Sequence, residues 1–183
     1  TNGISAMTEG STVTVNRSEI SRNGSSGIIA YGGPWVIAST LEGNGLGGVT
    51  SAGYVRVLNS TITKSGGYGI RSLNEEGPGQ NGTAVVVMST LVDNGHYNIW
   101  TTNGATAHVS VLTGSVLMNC FSPKVGGTAS FSDDTTCGLD EHSHEGPDVD
   151  PRLGRLAYNG GATPTMRPLR DCPLIEGAPW EQC

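Results

Sequence analysis

The sequence predicts an all-β fold, a right-handed parallel β-helix (solenoid) of about five coils closed by an irregular, disulfide-braced C-terminal cap. Three observations predict it. A degenerate repeat runs to residue 119, the composition favours short strands and turns, and all four cysteines, Cys120, Cys137, Cys172 and Cys183, follow the repeat.

The repeat has the form V-x-V-x-x-S-x-I-x-x-N, with a further aliphatic residue five positions on. Val15, Val36, Val57, Val86 and Val111 form one inward column, and Ile20, Leu41, Ile62, Leu91 and Val116 form the next. Ile4, Ile28, Val49, Ile70 and Ile99 take the place beyond the turn. Equivalent valines are 21, 21, 29 and 25 residues apart. The variation falls in one interval, which runs from 6 residues (Ile28 to Pro34) to 14 (Ile70 to Ala84). Two constant faces and one adjustable corner describe a solenoid whose equivalent strands stack about 4.8 Å apart. Five coils would rise about 24 Å.

Stacking sets like residues on like. Asn23, Asn44, Asn94 and Asn119, with Ser65 in the third coil, would form a side-chain ladder at a bend, where Asn tolerates left-handed backbone. Ala6, Ala30, Ser51, Ser72 and Thr101 are small inward residues suited to a narrow lumen.

Composition agrees with this reading. Of 183 residues 28 are Gly, and only 14% are charged, which favours strands and turns over helices in a single folding unit. The formal net charge is -6 with no basic run, which argues against nucleic acid as a partner. No apolar stretch reaches the roughly 20 residues of a membrane span. The chain opens on Thr1-Asn2-Gly3 without a leader, so either a signal has been removed or this is part of something longer.

The chain divides into coils over residues 1–119 and a capping segment over 120–183. Four cysteines allow three pairings, and the sequence-local one, Cys120 with Cys137 and Cys172 with Cys183, is favoured because each loop staples a stretch poor in strand pattern. Disulfides place the protein in an oxidising compartment, secreted, extracellular or at the cell surface. Leu153, Leu156, Leu169, Leu174, Ile175 and Trp180 would cover the last coil, and Pro151, Pro164, Pro168, Pro173 and Pro179 would discourage further strand pairing. Nothing before Ile4 covers the first coil, which leaves an edge open to self-association.

Residues 150–165 read D-P-x-L-G-x-L-x-x-N-G-G-x-T-P-T, followed by Pro168-Leu169 and by Cys172-Pro173-Leu174-Ile175-Glu176-Gly177. This segment resembles the C-terminal signature of secreted bacterial β-helix proteins of the choice-of-anchor Q domain type, within the pectate-lyase-like group. The resemblance implies a right-handed β-helix at the cell surface or outside the cell, and no particular reaction. Met166 stands where that family commonly has His, and Cys172 where it has Ser.

A polysaccharide-cleaving site would need carboxylates held near a base on an exposed strand face. The outward columns read Ser5, Ile29, Thr50, Arg71, Trp100 and Met7, Tyr31, Ala52, Leu73, Thr102, then Thr14, Trp35, Arg56, Val85, Ser110 and Glu19, Thr40, Thr61, Thr90, Ser115, without a paired acid set. Catalytic candidates are Arg71 with Glu75 and Glu76 in the longest insertion; ligand-binding candidates are Tyr31, Arg71 and Trp100, whose rings would stack on sugars. Metal-ligand candidates are His142, His144, Asp148 and Asp150, residue types without a recognised loop spacing. No cofactor is expected. The hydroxyl column Thr40, Thr61, Thr90 and Ser115 resembles an ice-binding face, but its neighbour Ser21, Glu42, Thr63, Val92 and Leu117 breaks the regularity.

The function expected from these residues is that of an extracellular structural or adhesive protein, self-assembling head to tail through its open edge. The alternatives are a carbohydrate-active lyase, hydrolase or epimerase, or a non-catalytic carbohydrate-binding module. Self-association or carbohydrate are the corresponding partners.

Overall fold

A computed structural model describes residues 1–73, 82–108, 110–113, 118–122, 125–147 and 150–173. The first coil contributes β1 (Ile4–Ala6), β2 (Thr14–Asn16) and β3 (Glu19–Ser21), and the second β4 (Ser26–Ala30), β5 (Trp35–Ile37) and β6 (Thr40–Glu42). The third has β7 (Gly47–Ser51), β8 (Val55–Leu58) and β9 (Thr61–Thr63), and the fourth β10 (Tyr68–Ser72), β11 (Thr83–Val87) and β12 (Thr90–Val92). The fifth has β13 (Tyr97–Thr101), β14 (Gly104–His108) and β15 (Val111–Thr113). The sixth has β16 (Met118–Phe121), β17 (Val125–Thr128) and β18 (Phe131–Ser132), beside which β19 (His144–Glu145) pairs.

Every third strand pairs in parallel with its counterpart one coil on. Sheet 1 runs β1-β4-β7-β10-β13-β16, sheet 2 runs β2-β5-β8-β11-β14-β17, and sheet 3 runs β3-β6-β9-β12-β15-β18-β19. The chain is therefore a parallel β-helix, and its pairing continues past residue 119 to Glu145, one coil beyond the five expected.

Ile28, Val49, Ile70 and Ile99 of sheet 1, Val36, Val57 and Val86 of sheet 2, and Leu41, Ile62, Leu91 and Leu112 of sheet 3 are fully buried in one core. Ala30, Ser51, Ser72 and Thr101 are buried in register, as their pattern implied.

The fifth coil departs from the expected register. Ala107, not Val111, pairs with Val86, and Leu112 pairs with Leu91. The places expected for Ser110 and Ser115 go to others: Thr106 pairs with Val85 and Val111 with Thr90, and Ser115 itself lies outside the described residues. The coil keeps the 21-residue step because only Thr102 and Asn103 separate β13 from β14. β14 is built on Gly104, Ala105 and Ala107, which give no aliphatic signal, so a repeat read from valines slips past it.

Two corners let each coil follow the path of the last. Arg22, Gly43, Lys64 and Asp93 take left-handed φ of 55 to 64° just before the Asn23, Asn44, Ser65 and Asn94 column. The left-handed residue is thus the one before the Asn, whose side chain bonds between coils: Asn23 and Ser65 amides donate to Asn44 Oδ1 (3.1 Å) and Asn94 Oδ1 (3.0 Å). The Ser65 hydroxyl is buried without a partner, so this ladder is interrupted. Asn119 is not in it; it lies on β16 beside Asn98, which donates to its Oδ1 at 2.7 Å. Immediately after this corner Gly45, Gly66 and Gly95 stack so closely that a Cβ on each would strike the carbonyl oxygen of Gly24, Gly45 and Gly66 respectively.

The corner between sheets 2 and 3 carries a continuous ladder of serines. The amide of Ser18 donates to the Ser39 hydroxyl, Ser39 to Ser60, Ser60 to Ser89, Ser89 to Ser110, Ser110 to Ser130 and Ser130 to Ser143, at 3.0 to 3.3 Å. Ser39, Ser60 and Ser89 each donate in turn to the carbonyl two residues back at 2.7 Å. The preceding residues, Arg17, Ala38, Asn59, Met88 and Ala129, sit at φ of 46 to 48°. Non-glycine residues are costly there, and the ladder holds them in place.

The open end of the sixth coil is closed by residues 133–145. Cys137 and Leu139 enter the core, and Cys137 is joined to Cys120. The Asn119 and Cys120 amides donate to Asp134 Oδ2 (2.8 Å) and Thr136 Oγ1 (3.0 Å). Glu145 turns its carboxylate onto the amides of Cys137, Gly138 and Leu139 at 2.9 to 3.0 Å.

The segment from Asp150 to Pro173, expected over that end, instead lies as a strap along the outward face of sheet 3. It is a loose hairpin with bridges Leu153–Pro168 and Ala157–Thr165. Leu153 and Met166 pack on Val92 and Phe131, while Leu169 remains exposed. Thr40 donates to the Pro164 carbonyl (2.6 Å) and Thr163 to that of Ala38 (3.2 Å). Sheet 3 attracts the strap because Val92 and Phe131 interrupt its hydroxyl columns with apolar surface. Thr40 and Thr61 are consequently buried, so they offer no ice-binding face. Cys172 is a buried free thiol, 2.9 Å from the Pro151 carbonyl; Cys183, Leu174, Ile175, Pro179 and Trp180 lie outside the described residues.

Ser60→Ala leaves the buried Ser39 amide unpaired and is expected to lower stability by about 1–3 kcal/mol in urea unfolding. Removing the bridge in Cys120→Ala/Cys137→Ala should cost about 3 kcal/mol by the same measurement, from the entropy of its loop.

Candidate binding face

Strands β10, β13 and β16 direct an aromatic strip outward from sheet 1. Pairing places Tyr68 beside Tyr97, and Arg71 beside Trp100, which is beside Phe121. The Tyr68 and Tyr97 rings stack with centroids 6.0 Å apart and planes 9° from parallel. Trp100 lies 4.9 Å from Tyr68, 5.9 Å from Tyr97 and 6.0 Å from Phe121, and Tyr97 lies 5.3 Å from Phe121. His96 meets the Tyr68 edge at 5.5 Å. Phe121 is 48% exposed, so the strip opens to solvent. Such rings need a flat base, and the buried Ile70, Ile99 and Cys120 column beneath supplies it.

The Arg71 guanidinium lies 5.9 Å from the Tyr68 ring and 5.3 Å from that of Trp100. On its other side is a shallow cavity of about 120 Å³ lined by Met7, Ile29, Tyr31, Thr50 and Ser51, among others. Sheet 1 therefore gathers the three ligand-binding candidates, Tyr31, Arg71 and Trp100, on one face. Tyr68, Tyr97 and Phe121 were not among the candidates read from the sequence. The signal for two of them was present, since Tyr68 and Tyr97 precede Ile70 and Ile99 by the same two positions.

Glu75 and Glu76 lie outside the described residues, as does Asp148. The remaining metal candidates are scattered. His142 faces Asp140 at 3.6 Å, His144 lies 6.4 Å from the Phe131 ring on sheet 3, and Asp150 accepts the Arg152 amide at 2.8 Å. Asp134, Cys137 and Glu145 converge, but the Cys137 sulfur is in the disulfide and both carboxylates hold the end loop together. A second concavity, an open groove of about 850 Å³, is lined by both the strap and sheet 3 beside their contacts; Glu42, Lys64, Asp93, Asp150 and Arg155 are among its walls, with Glu42 and Lys64 paired at 2.9 Å.

No family model matches the chain, and neither a curated protein nor a solved structure aligns with it.

At the strap tip, Tyr158 donates to Glu19 Oε2 at 3.0 Å. That bond and the Glu19 charge hold its phenol above the usual 10.0. A raised folded value means the contact stabilises fully below the unfolded pKa and is lost as pH rises through the folded one. Phenolate absorbance should show one tyrosine titrating late, returned to the ordinary range in Glu19→Gln.

Proposed function

We propose that this protein is an extracellular adhesive β-helix that binds carbohydrate chains on the aromatic face of sheet 1 without cleaving them. The observation that carries the reading is the contiguous strip of Tyr68, Tyr97, Trp100 and Phe121. Aromatic faces recognise the apolar C–H surface of sugar rings, and a strip laid across successive coils suits a polymer better than a single small molecule. The outward partners Ser5, Ile29, Thr50, Arg71, Trp100 and Phe121 include no carboxylate, so the acid that glycoside cleavage requires is absent from this column.

The Cys120–Cys137 disulfide supports an oxidising location, and the likeness of residues 150–165 to the choice-of-anchor Q signature supports the same placement. A rigid solenoid also suits adhesion, because its rings are held in position before the ligand arrives and little ordering remains to be done on binding.

Calorimetry against soluble polysaccharides, with a reducing-end assay on the same mixtures, tests the reading. Saturable binding without product is expected. Trp100→Ala should weaken it by about tenfold, ~1.4 kcal/mol, at unchanged melting temperature. Release of new reducing ends or unsaturated products would replace adhesion with turnover.

A further inference from the structure

Arg71 stands where the two halves of the sheet 1 face meet, with rings toward β13 and the small hydroxyl-bearing cavity toward β7 and β4. Its Nε is buried and has no hydrogen-bond partner. The ion pairs among the described residues join Lys64 to Glu42, His142 to Asp140 and Arg152 to Asp171; none involves Arg71. Among the described residues the guanidinium meets rings on one side and no acid, and the hydrogen-bonding capacity of its Nε is unspent. Buried donors are normally satisfied, and one left open beside a cavity is an acceptor's place.

We propose that Arg71 is the subsite for an oxyanion carried on a sugar ring, so that the ligand of this face is an anionic glycan. This rests on the carbohydrate reading above and narrows its ligand class. A guanidinium presents its N–H groups as a planar fork that matches two oxygens of a carboxylate or sulfate, and the flanking rings of Tyr68 and Trp100 limit the plane the fork adopts. The chain's formal charge of -6 offers an anionic ligand no general attraction. Selection must come from this local cation. Tyr31 and Thr50 beside it suit the hydroxyls of a neighbouring sugar, while Trp100 and Tyr97 stack the next one along the solenoid axis. Uronate carboxylates and sulfate esters share the required chemistry.

Four probes separate the sources in calorimetry with the whole chain: a uronate oligosaccharide, its methyl ester, a sulfated neutral oligosaccharide and its unsulfated parent. At least one charged form should bind about tenfold more tightly than its uncharged counterpart, the scale of one charge-assisted hydrogen bond. Preference within the uronate pair names a carboxylate, and within the sulfated pair a sulfate. The preference should vanish in Arg71→Met, persist in part in Arg71→Lys, and shrink as salt rises. Circular dichroism and melting temperature confirm that each variant is folded; should Arg71→Met not fold, the wild-type and Arg71→Lys comparisons decide. Equal binding of charged and uncharged forms by the wild type, or a preference surviving in folded Arg71→Met, overturns the anion subsite and leaves the carbohydrate reading standing. Failure of all four probes to bind overturns both.

Discussion

The structure depends on one constraint: each coil must repeat the backbone path of the last so that its amides and carbonyls meet partners one coil away. In a parallel solenoid a strand cannot satisfy itself, and a shift at one corner would misalign three sheets at once. The serine ladder enforces the path where sheets 2 and 3 meet, accepting an amide from one coil and bonding a carbonyl within its own. Left-handed backbone at Arg17, Ala38, Asn59, Met88 and Ala129 makes the turn tight enough for that geometry. The glycine column at the other corner permits the same close approach by having no side chains to obstruct it.

The two accessory segments follow from the same constraint. A last coil exposes apolar core and unpaired amides, so something must imitate the missing coil. The loop of residues 133–145 does this with side chains, Asp134 and Thr136 accepting the amides and Cys137 filling the core column. That leaves the strap free to cover sheet 3, where Phe131 and Val92 interrupt the hydroxyl columns. With sheet 3 covered, sheet 1 presents the aromatic strip with Arg71, and sheet 2 a smaller stack of Arg56 on Trp35 and Tyr54.

Regularity of the scaffold is what gives the binding face its geometry. Identical residue positions in successive coils bring Tyr68 beside Tyr97 and Arg71 beside Trp100, although 29 residues separate each pair in the chain. The Arg71 donor is left open by that arrangement, since its neighbours across the sheet are Thr50 and Trp100 rather than acids. A surface assembled this way is rigid along the solenoid axis, which suits recognition of an extended ligand.

The sequence alone determined the solenoid, its first four coils, the inward columns and the Cys120–Cys137 bridge, because stacking equal residues leaves a periodic trace in the chain. It also put Tyr31, Arg71 and Trp100 on one face. It lost the fifth coil, where Ala105 and Ala107 stand in register with Ala84 and Val86 without aliphatic bulk, and so hid the sixth. Tertiary structure decided where the non-repeating segments go, since the docking of Leu153 and Met166 on Val92 and Phe131 depends on surfaces formed after coiling. It also decided that the Arg71 Nε is buried without a partner among the described residues, beside the rings of Tyr68 and Trp100. Periodicity tells which residues share a column, whereas contacts across columns follow from distances that no linear pattern records.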